Sequence, residues 1–368
     1  MLKKRRSTAR TVSPTPRSSI LSGKRGRRPI RKQTAARGKS IKAGAGRRAS
    51  ADYAAGLREG RKWRAGPDFE ASAEKVKTTL QDRWIRTYRE TGSRMGAKSW
   101  KTMAERGKRF ATGFMLGAGT PVSLSPVPLE SDAAAVVCAG QDASALRRVV
   151  AQLEALPLRE IVIVAGRPAD STYEAARSCK KAVVAVVPDE LDPDIGRALG
   201  AKLTGADIVL FVDGEQDVHS DRLASFLWAC DRGLDIALND QSGRTGAFAR
   251  RNGVERLSEF LNVSLMRGDL RMNSLSSLPF ALSRRALDTL GAPALAVPAK
   301  AQARAILSGL RIGKGGAAGR SARSSESLSS KAAGDHAEAW REALGTVGNR
   351  LRFADATRNR GILGEWER

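Results

Sequence analysis

The segment that decides the fold is residues 194–217, which read DIGRALGAKLTGADIVLFVDGEQD. It starts with a short helical pattern, which Gly205 ends. The following run, Ile208 to Val212, is apolar at every position, and this predicts a strand that is buried on both faces of an α/β sheet. Ligands of open α/β sheets bind beyond the carboxyl ends of the strands, so the segment also predicts where a site lies.

Three acids follow this strand directly: Asp213, Glu215 and Asp217. Carboxylate oxygens at such a position suit Mg²⁺ or Mn²⁺ holding a diphosphate. A solvated acidic turn that only caps the next helix is the simpler interpretation. The order of a helix, Gly-Ala-Asp, an apolar strand and Asp-x-acid favours the metal site over that interpretation.

From residue 133 onward, short apolar runs alternate with helical patterns of about ten residues, which predicts βαβ units and a mainly parallel sheet. A dinucleotide-binding site would need the pattern G-x-G-x-x-G after the first strand, whereas Ala139–Ser144 holds one glycine. The predicted strands are 133–138, 160–165, 182–187, 207–212 and 235–238.

This pattern resembles the family 2 glycosyltransferases, which have the GT-A fold. The resemblance covers residues 133–312 and implies an α/β, GT-A-like nucleotide-diphospho-sugar transferase fold, with a mainly parallel sheet flanked by helices. The matching positions are Gly196-Arg197-Ala198, Gly205-Ala206-Asp207, Asp213-Gly214-Glu215, and Arg284-Arg285 with Gly291.

The resemblance implies metal-dependent transfer of a sugar from a nucleotide-diphosphate donor to an acceptor that the sequence does not identify. Its metal ion would be Mg²⁺ or Mn²⁺, and Arg197 would contact phosphate through its planar guanidinium. The implied metal ligands are Asp213, Glu215 and His336, and the implied donor-binding residues are Asp142, Asp170 and Arg197.

Two positions depart from the family pattern. The second strand ends in Ala165-Gly166, where the family has acids that help to hold the nucleobase. The stretch 296–302 contains no acid, although the family places its general base there, so the sequence identifies no catalytic residue. These departures keep a second hypothesis open, a non-catalytic GT-A-like domain for binding or scaffolding, whose basic arm contacts nucleic acid or an anionic surface.

The net charge of +26 is concentrated at the N-terminus. Residues 1–50 hold 17 of the 64 basic residues and none of the 38 acidic ones. With so few large apolar side chains, this arm cannot offset the entropy of ordering and is predicted to be disordered. A run of positive charge attracts polyanions, so nucleic acid and anionic membrane surfaces are its candidate partners, and a purely solubilising tail is the alternative.

Residues 51–115 are predicted to be helical and basic, with a Trp/Tyr face. Val76, Leu80, Trp84 and Tyr88 recur every four residues and form one stripe. This stripe would pack on the rest of the chain or on another subunit of an oligomer, lie on a membrane surface, or contact nucleic acid.

The remaining boundaries follow from composition. Proline and glycine predict a linker at 116–130 before the GT-A-like domain at 131–312. Residues 313–334 are rich in Gly, Ser and Ala and predict a flexible loop, after which 335–368 forms a helix and a basic tail.

Cysteine use and hydropathy indicate the compartment. Cys138, Cys179 and Cys230 lie far apart without a CxxC pair, which fits reduced thiols. No apolar stretch reaches the roughly 18 residues of a membrane span, and the N-terminus lacks the apolar core of a secretory signal. We therefore expect a cytoplasmic protein.

Overall fold

The structure of the chain is a computed structural model that describes residues 37–95, 99–243, 248, 251–319 and 326–354. The chain divides into two compact units, Met1–Gly46 and Arg47–Arg368. The predicted disordered arm lies outside the described residues up to position 36. A helix begins at Arg37, before the boundary predicted at residue 51, because the segment from there on contains no proline and several alanines.

Among the described residues of the second unit, seven strands form one sheet. They are β1 (Ala133–Ala139), β2 (Glu160–Gly166), β3 (Ala182–Val187), β4 (Ile208–Asp213), β5 (Ile236–Asn239), β6 (Phe280–Ser283) and β7 (Ile312–Gly316). Their order is β3-β2-β1-β4-β6-β5-β7, and only β6 runs antiparallel to its neighbours. The mainly parallel sheet flanked by helices confirms the predicted α/β class. The first four strands lie within one residue of their predicted bounds.

The helices include three that precede the sheet and eight that alternate with or follow its strands. They are α1 (Arg37–Arg64), α2 (Ala73–Met95), α3 (Trp100–Ala118), α4 (Ala143–Glu154), α5 (Asp170–Arg177), α6 (Pro193–Lys202), α7 (Ser220–Asp231), α8 (Gly253–Ser264), α9 (Arg284–Leu290), α10 (Pro298–Leu307) and α11 (Glu326–Val347). None of these helices, within the part of the chain that the structure describes, is both long and apolar enough to cross a bilayer.

The sheet separates two apolar cores. Ile208, Leu210 and Val212 of β4 point into one, and Val209 and Phe211 point into the other, as expected for a strand buried on both faces. Helices α2, α3, α4, α5 and α7 cover the first face, and α6, α8, α9, α10 and α11 cover the second.

The predicted aromatic stripe of α2 packs on the first face of the sheet. Val76, Leu80 and Trp84 are fully buried, and Tyr88 is nearly so, in the same core as β1 and β4. The stripe therefore contacts its own chain, the first of the arrangements that the sequence allows. Oligomer formation through residues 51–115 stays a prediction.

Helices α1 and α3 approach each other at glycines. A Cβ on Gly56 would lie 2.1 Å from the carbonyl oxygen of Phe110, and one on Gly113 would lie 2.1 Å from that of Tyr53. The two backbones are thus in direct contact, which only glycine permits at these positions. Glycine here serves helix packing rather than chain breaking.

The first residues of the predicted linker at 116–130 are helical in the structure. Helix α3 continues to Ala118 and ends at Gly119, whose left-handed φ of 75° caps it. The rest of the segment is extended and packs on the helices. Val127 and Leu129 are buried there, and the side-chain amide of Gln81 in α2 donates to the Val127 carbonyl.

The predicted flexible loop at 313–334 also contains regular structure. Its first residues belong to β7, where the glycines let the strand approach α7: a Cβ on Gly316 would lie 2.1 Å from the Ser225 hydroxyl. Its last residues belong to α11, which begins at Glu326 rather than at Asp335. Residues 320–325 lie outside the described part of the chain.

Candidate functional site

The acidic turn after β4 is held by hydrogen bonds and by two glycines. Asp213 ends the strand, and its carboxylate accepts a 3.0 Å hydrogen bond from the Glu215 backbone. Gly214 donates to the Cys138 carbonyl at 3.1 Å, and a Cβ on it would lie 2.5 Å from that oxygen. Glu215 lies against Gly140 after β1, where a Cβ would meet its carboxylate. The turn is therefore fixed to the neighbouring strand end.

A cavity of about 180 Å³ opens beside this turn. Cys138 and Asp213 are paired across β1 and β4, so both reach the carboxyl edge of the sheet together. Asp213 is 7 % exposed and faces the cavity, whereas Glu215 is exposed and lies outside its lining. The polar residues that line the cavity include Asp192, Asp194, Arg197, Asp213, Ser276, Lys331, Asp335 and His336.

Two cations in the cavity are paired with acids. Arg197 is buried, and its guanidinium lies 2.7 Å from the Asp194 carboxylate on the same helix, α6. The Lys331 ammonium, from α11, donates to both oxygens of Asp192 at 2.8 and 2.7 Å and to Asp194 at 2.6 Å. Three salt-bridged contacts thus join α11 to the start of α6 across the cavity.

The same pairs shift the acid constants of the cavity residues. Burial raises the pKa of Asp192, but hydrogen bonds from Lys331 and from the Asp194 backbone lower it by more than burial raises it. The pKa of Asp192 therefore lies below its ordinary value of 3.8. Burial lowers the pKa of Lys331, and its two carboxylate partners raise it above 10.5. Burial raises the pKa of Asp335. The positive charge of Lys331 lowers this pKa, and the negative charges of Asp194 and Glu338 raise it.

His336 lies at the cavity wall and is almost completely buried. Its Nδ1 lies 2.6 Å from the Ala332 carbonyl and donates to it, and its Nε2 lies 3.3 Å from the Ser258 hydroxyl. Burial lowers its pKa below 6.5, with the Ala332 bond opposing. Both ring nitrogens have polar neighbours within the protein, and the role of His336 as the implied third metal ligand stays a prediction.

The two other acids implied to bind the donor lie on the surface. Asp142 caps α4: its carboxylate accepts from the backbones of Ser144 and Ala145 and from the Ser144 hydroxyl, and these bonds lower its pKa. Asp170 is exposed at the first position of α5, where Ala169 is the cap residue. Neither acid lines the cavity.

Buried amides support the cavity from the second face of the sheet. Asn262 donates to the carbonyls of Arg271 and Asn273 at 2.8 and 3.1 Å and accepts from Gln302 at 3.1 Å. Asn273 accepts from the Gln241 backbone at 3.0 Å. These bonds fix the segment that leads to the cavity wall, and their polar side chains are at most 7 % exposed.

The two acids of the turn are suited to a metal site that has few protein ligands. Among the described residues, no group of three or more His, Cys, Asp or Glu side chains is placed to hold a metal ion. Mg²⁺ usually keeps several waters and takes only one or two protein carboxylates together with substrate phosphates. Asp213 and Glu215, two hard oxygen donors on one fixed turn, meet that smaller requirement.

The chain is similar to solved structures of other proteins. No protein family model and no curated protein matches the chain. Glucosyl-3-phosphoglycerate synthase from Mycobacterium tuberculosis, in complex with Mn²⁺, UDP and glucosyl-3-phosphoglycerate, is 17 % identical over 62 % of this chain and 82 % of its own, with a TM-score of 0.44. Its complex with Mg²⁺ and UDP is 16 % identical over the same shares, with a TM-score of 0.43.

Several cavity residues were not singled out by the sequence. Asp192 caps α6 and precedes Pro193 at the first helical position, a start signal just beyond a predicted strand that could have placed it at the site. Lys331 had no such signal, because it lies in a stretch whose composition predicts a loop. Asp335 shares its helix, and its place beside α6 depends on tertiary packing.

Proposed function

We propose that the chain is a glycosyltransferase that transfers a sugar from a nucleotide-diphosphate donor with the help of a divalent cation. The observation that carries this proposal is the position of Asp213. It is buried at the carboxyl end of the central strand β4, it opens a turn fixed by Gly214, and it faces a cavity that also contains Arg197 and Lys331. Acid and cations in one cavity suit a metal-bound diphosphate.

In this proposal, Asp213 and Glu215 hold Mg²⁺ or Mn²⁺. The bound ion supplies stabilisation of the charge that develops on the leaving nucleoside diphosphate. The fixed turn reduces the reorganisation that binding requires, because the Asp213 carboxylate is already oriented by the Glu215 backbone.

Arg197 and Lys331 supply positive charge for the phosphates. Each is paired with a carboxylate, so a diphosphate has to compete with Asp192 and Asp194 for them. Guanidinium and ammonium groups both bind phosphate through charge-assisted hydrogen bonds, the former with two parallel bonds.

Calorimetric titration of the full chain with nucleoside diphosphates and Mn²⁺ tests the metal site. Asp213→Asn keeps the size of the side chain, and we expect it to abolish metal-dependent binding, whereas Glu215→Gln weakens it less because its longer chain can act through water. Asp217→Asn, an exposed acid two residues further, is the matched control. Wild-type affinity in Asp213→Asn would remove the metal site from this turn.

A second function is favoured by the pairing inside the cavity. Both cations already have carboxylate partners, and the stretch 296–302 offers no acid as general base. These features suit a GT-A-like domain that binds or scaffolds without catalysis. If wild-type protein binds none of the common nucleoside diphosphates with Mn²⁺ or Mg²⁺, we would adopt this function in place of glycosyl transfer.

For either of these two functions, we propose that the basic arm binds polyanions and that the protein is cytoplasmic. Counterion release makes such binding fall steeply with salt. We expect a chain that lacks residues 1–36, and therefore keeps α1 whole, to lose most of its salt-sensitive binding to nucleic acid and anionic vesicles. Equal binding by the shortened and complete chains would remove this role from the arm.

A further inference from the structure

An exposed apolar patch lies on the second face of the molecule, outside the cavity. It combines side chains of α8, of α11 and of the segment after α11. We define the patch by Phe260 (52 % exposed), Val263 (42 %), Met266 (70 %), Leu344 (37 %) and Phe353 (43 %). Single exposed apolar residues are ordinary on a protein surface, whereas a contiguous group marks a binding surface.

The members of the patch are neighbours in space. Phe260 and Val263 are three residues apart on α8 and share one side of it, and Met266, two residues beyond its end, donates its backbone N–H to the Val263 carbonyl at 3.0 Å. The Phe260 ring lies 5.4 Å from that of Trp340 and 6.5 Å from that of Phe353. Leu344 follows Trp340 by one turn of α11, which extends the patch along that helix.

The surroundings of the patch are positively charged. The nearby acids are neutralised in ion pairs, Glu259 with Arg251, Asp269 with Arg267, and Glu342 with Arg304. Three exposed arginines add positive charge around the patch, one after α8, one a turn before Leu344 and one beside Phe353. They are Arg271, Arg341 and Arg352.

We propose that this patch docks the protein on an anionic lipid bilayer, with the apolar side chains inserted between the headgroups and the arginines against their phosphates. Large apolar side chains bordered by arginine are the composition of interfacial membrane contacts. Anionic lipid attracts each nearby basic residue, so the excess positive charge selects this partner over a neutral apolar one. The binding is peripheral and requires no spanning helix.

Docking would bring the cavity close to the bilayer. His336 in the cavity wall and Leu344 in the patch lie on α11, eight residues apart, which corresponds to about 12 Å along the helix. A ligand in the cavity would therefore lie within reach of the membrane surface. This inference does not depend on the proposed glycosyl transfer.

Vesicle co-sedimentation of the full chain tests the proposal, with vesicles of phosphatidylcholine alone and with added phosphatidylglycerol. Because the basic arm also binds anionic surfaces, the decisive measurement is made at high salt, which screens charge and leaves apolar insertion. We expect the triple variant Phe260→Ser, Met266→Ser, Phe353→Ser to reduce salt-resistant partitioning by about tenfold or more. Its control replaces three exposed residues elsewhere, Leu116→Ser, Val186→Ser and Leu203→Ser, and should partition as wild type.

Thermal unfolding of each variant checks that it is folded. Equal partitioning of the patch and control variants, or no salt-resistant partitioning of the wild type, would overturn the proposal. A photo-crosslinking residue at position 263 gives a second measurement that needs no destabilising change. Crosslinks to lipid support docking, whereas crosslinks to residues 355–368 or to a second copy of the chain would assign the patch to those occupants instead.

Discussion

The two faces of the sheet are built from different kinds of side chain. The first face is filled by aromatic residues of the N-terminal helices and α7, such as Trp84, Phe110 and Phe226, all fully buried. The second face buries amides, Asn262 and Gln302, which are hydrogen-bonded beneath the cavity. Apolar contacts tolerate small shifts, whereas hydrogen bonds fix direction. The comparison indicates that the first face mainly provides stability and the second positions the site.

The largest expected effect is on the first face. Phe110→Ala removes a fully buried ring that contacts Trp84 and Phe114, and we expect it to lower the free energy of unfolding by about 3–5 kcal/mol. Leu116→Ala on the same helix, at a side chain that is 63 % exposed, should change it by less than about 0.5 kcal/mol. Urea unfolding measures both. If the folded Phe110→Ala protein also lost ligand affinity, the division of roles between the faces would fail.

On the second face, Asn262→Ala should affect stability and the site together. It leaves the Arg271 and Asn273 carbonyls and the Gln302 amide without this partner, a loss of about 2–3 kcal/mol. Because the bonded segment leads to Ser276 and Leu278 in the cavity wall, ligand affinity should fall as well. The exposed Asn349→Ala is the control. Calorimetry that finds unchanged affinity at reduced stability would make this network purely structural.

A smaller effect is expected for Lys331→Met, which removes the cation that joins α11 to α6. Since Lys331 helps to keep the pKa of Asp192 below 3.8, the stability it contributes is present at neutral pH and is lost as the pH falls and Asp192 is protonated. Both groups are partly exposed, so we expect less than about 1 kcal/mol. Unfolding at pH 7 and at pH 3 measures the difference between variant and wild type, and an equal difference at both values would contradict this origin.

The smallest effect concerns Asp335, whose pKa is raised by burial. A raised carboxyl pKa means that ionisation is disfavoured in the folded state, so the wild type loses stability as the pH rises above 3.8. Asp335→Asn avoids that loss and should gain up to about 0.5 kcal/mol at pH 7, with no gain well below 3.8. A gain that persists at low pH in denaturant unfolding would point to packing rather than charge.

The sheet could be predicted from the sequence further than the site could. Strands β1 to β4 are continuous apolar runs bounded by polar turns, so their bounds and the position of Asp213 followed from local pattern. The end of α3 and the start of α11 did not follow from local pattern. Glycine and serine at these positions predict loops, whereas packing against the rest of the chain keeps both segments helical. Gly117 is an example, since it lies in the predicted linker and serves instead as a backbone contact between α3 and α1.

The cavity required knowledge of contacts between distant segments. Asp213 was predicted because one strand carries it to the sheet edge. Lys331 meets Asp192 only because α11 packs over α6, a contact across more than a hundred residues that no local period encodes. For His336 the residue type suggested a metal ligand, whereas its contacts with Ala332 and Ser258 depend on tertiary packing that the sequence does not show.

The glycines beside the acidic turn have a consequence for recognising distant relatives. Position 214 excludes every larger residue, because even a methyl group would overlap the Cys138 carbonyl, and a side chain at position 140 would displace Glu215. A chain that keeps this turn must therefore carry glycine in two loops at once, one after its first strand and one between its two acids. That joint requirement can be searched for in genomes where overall identity has fallen too low to detect.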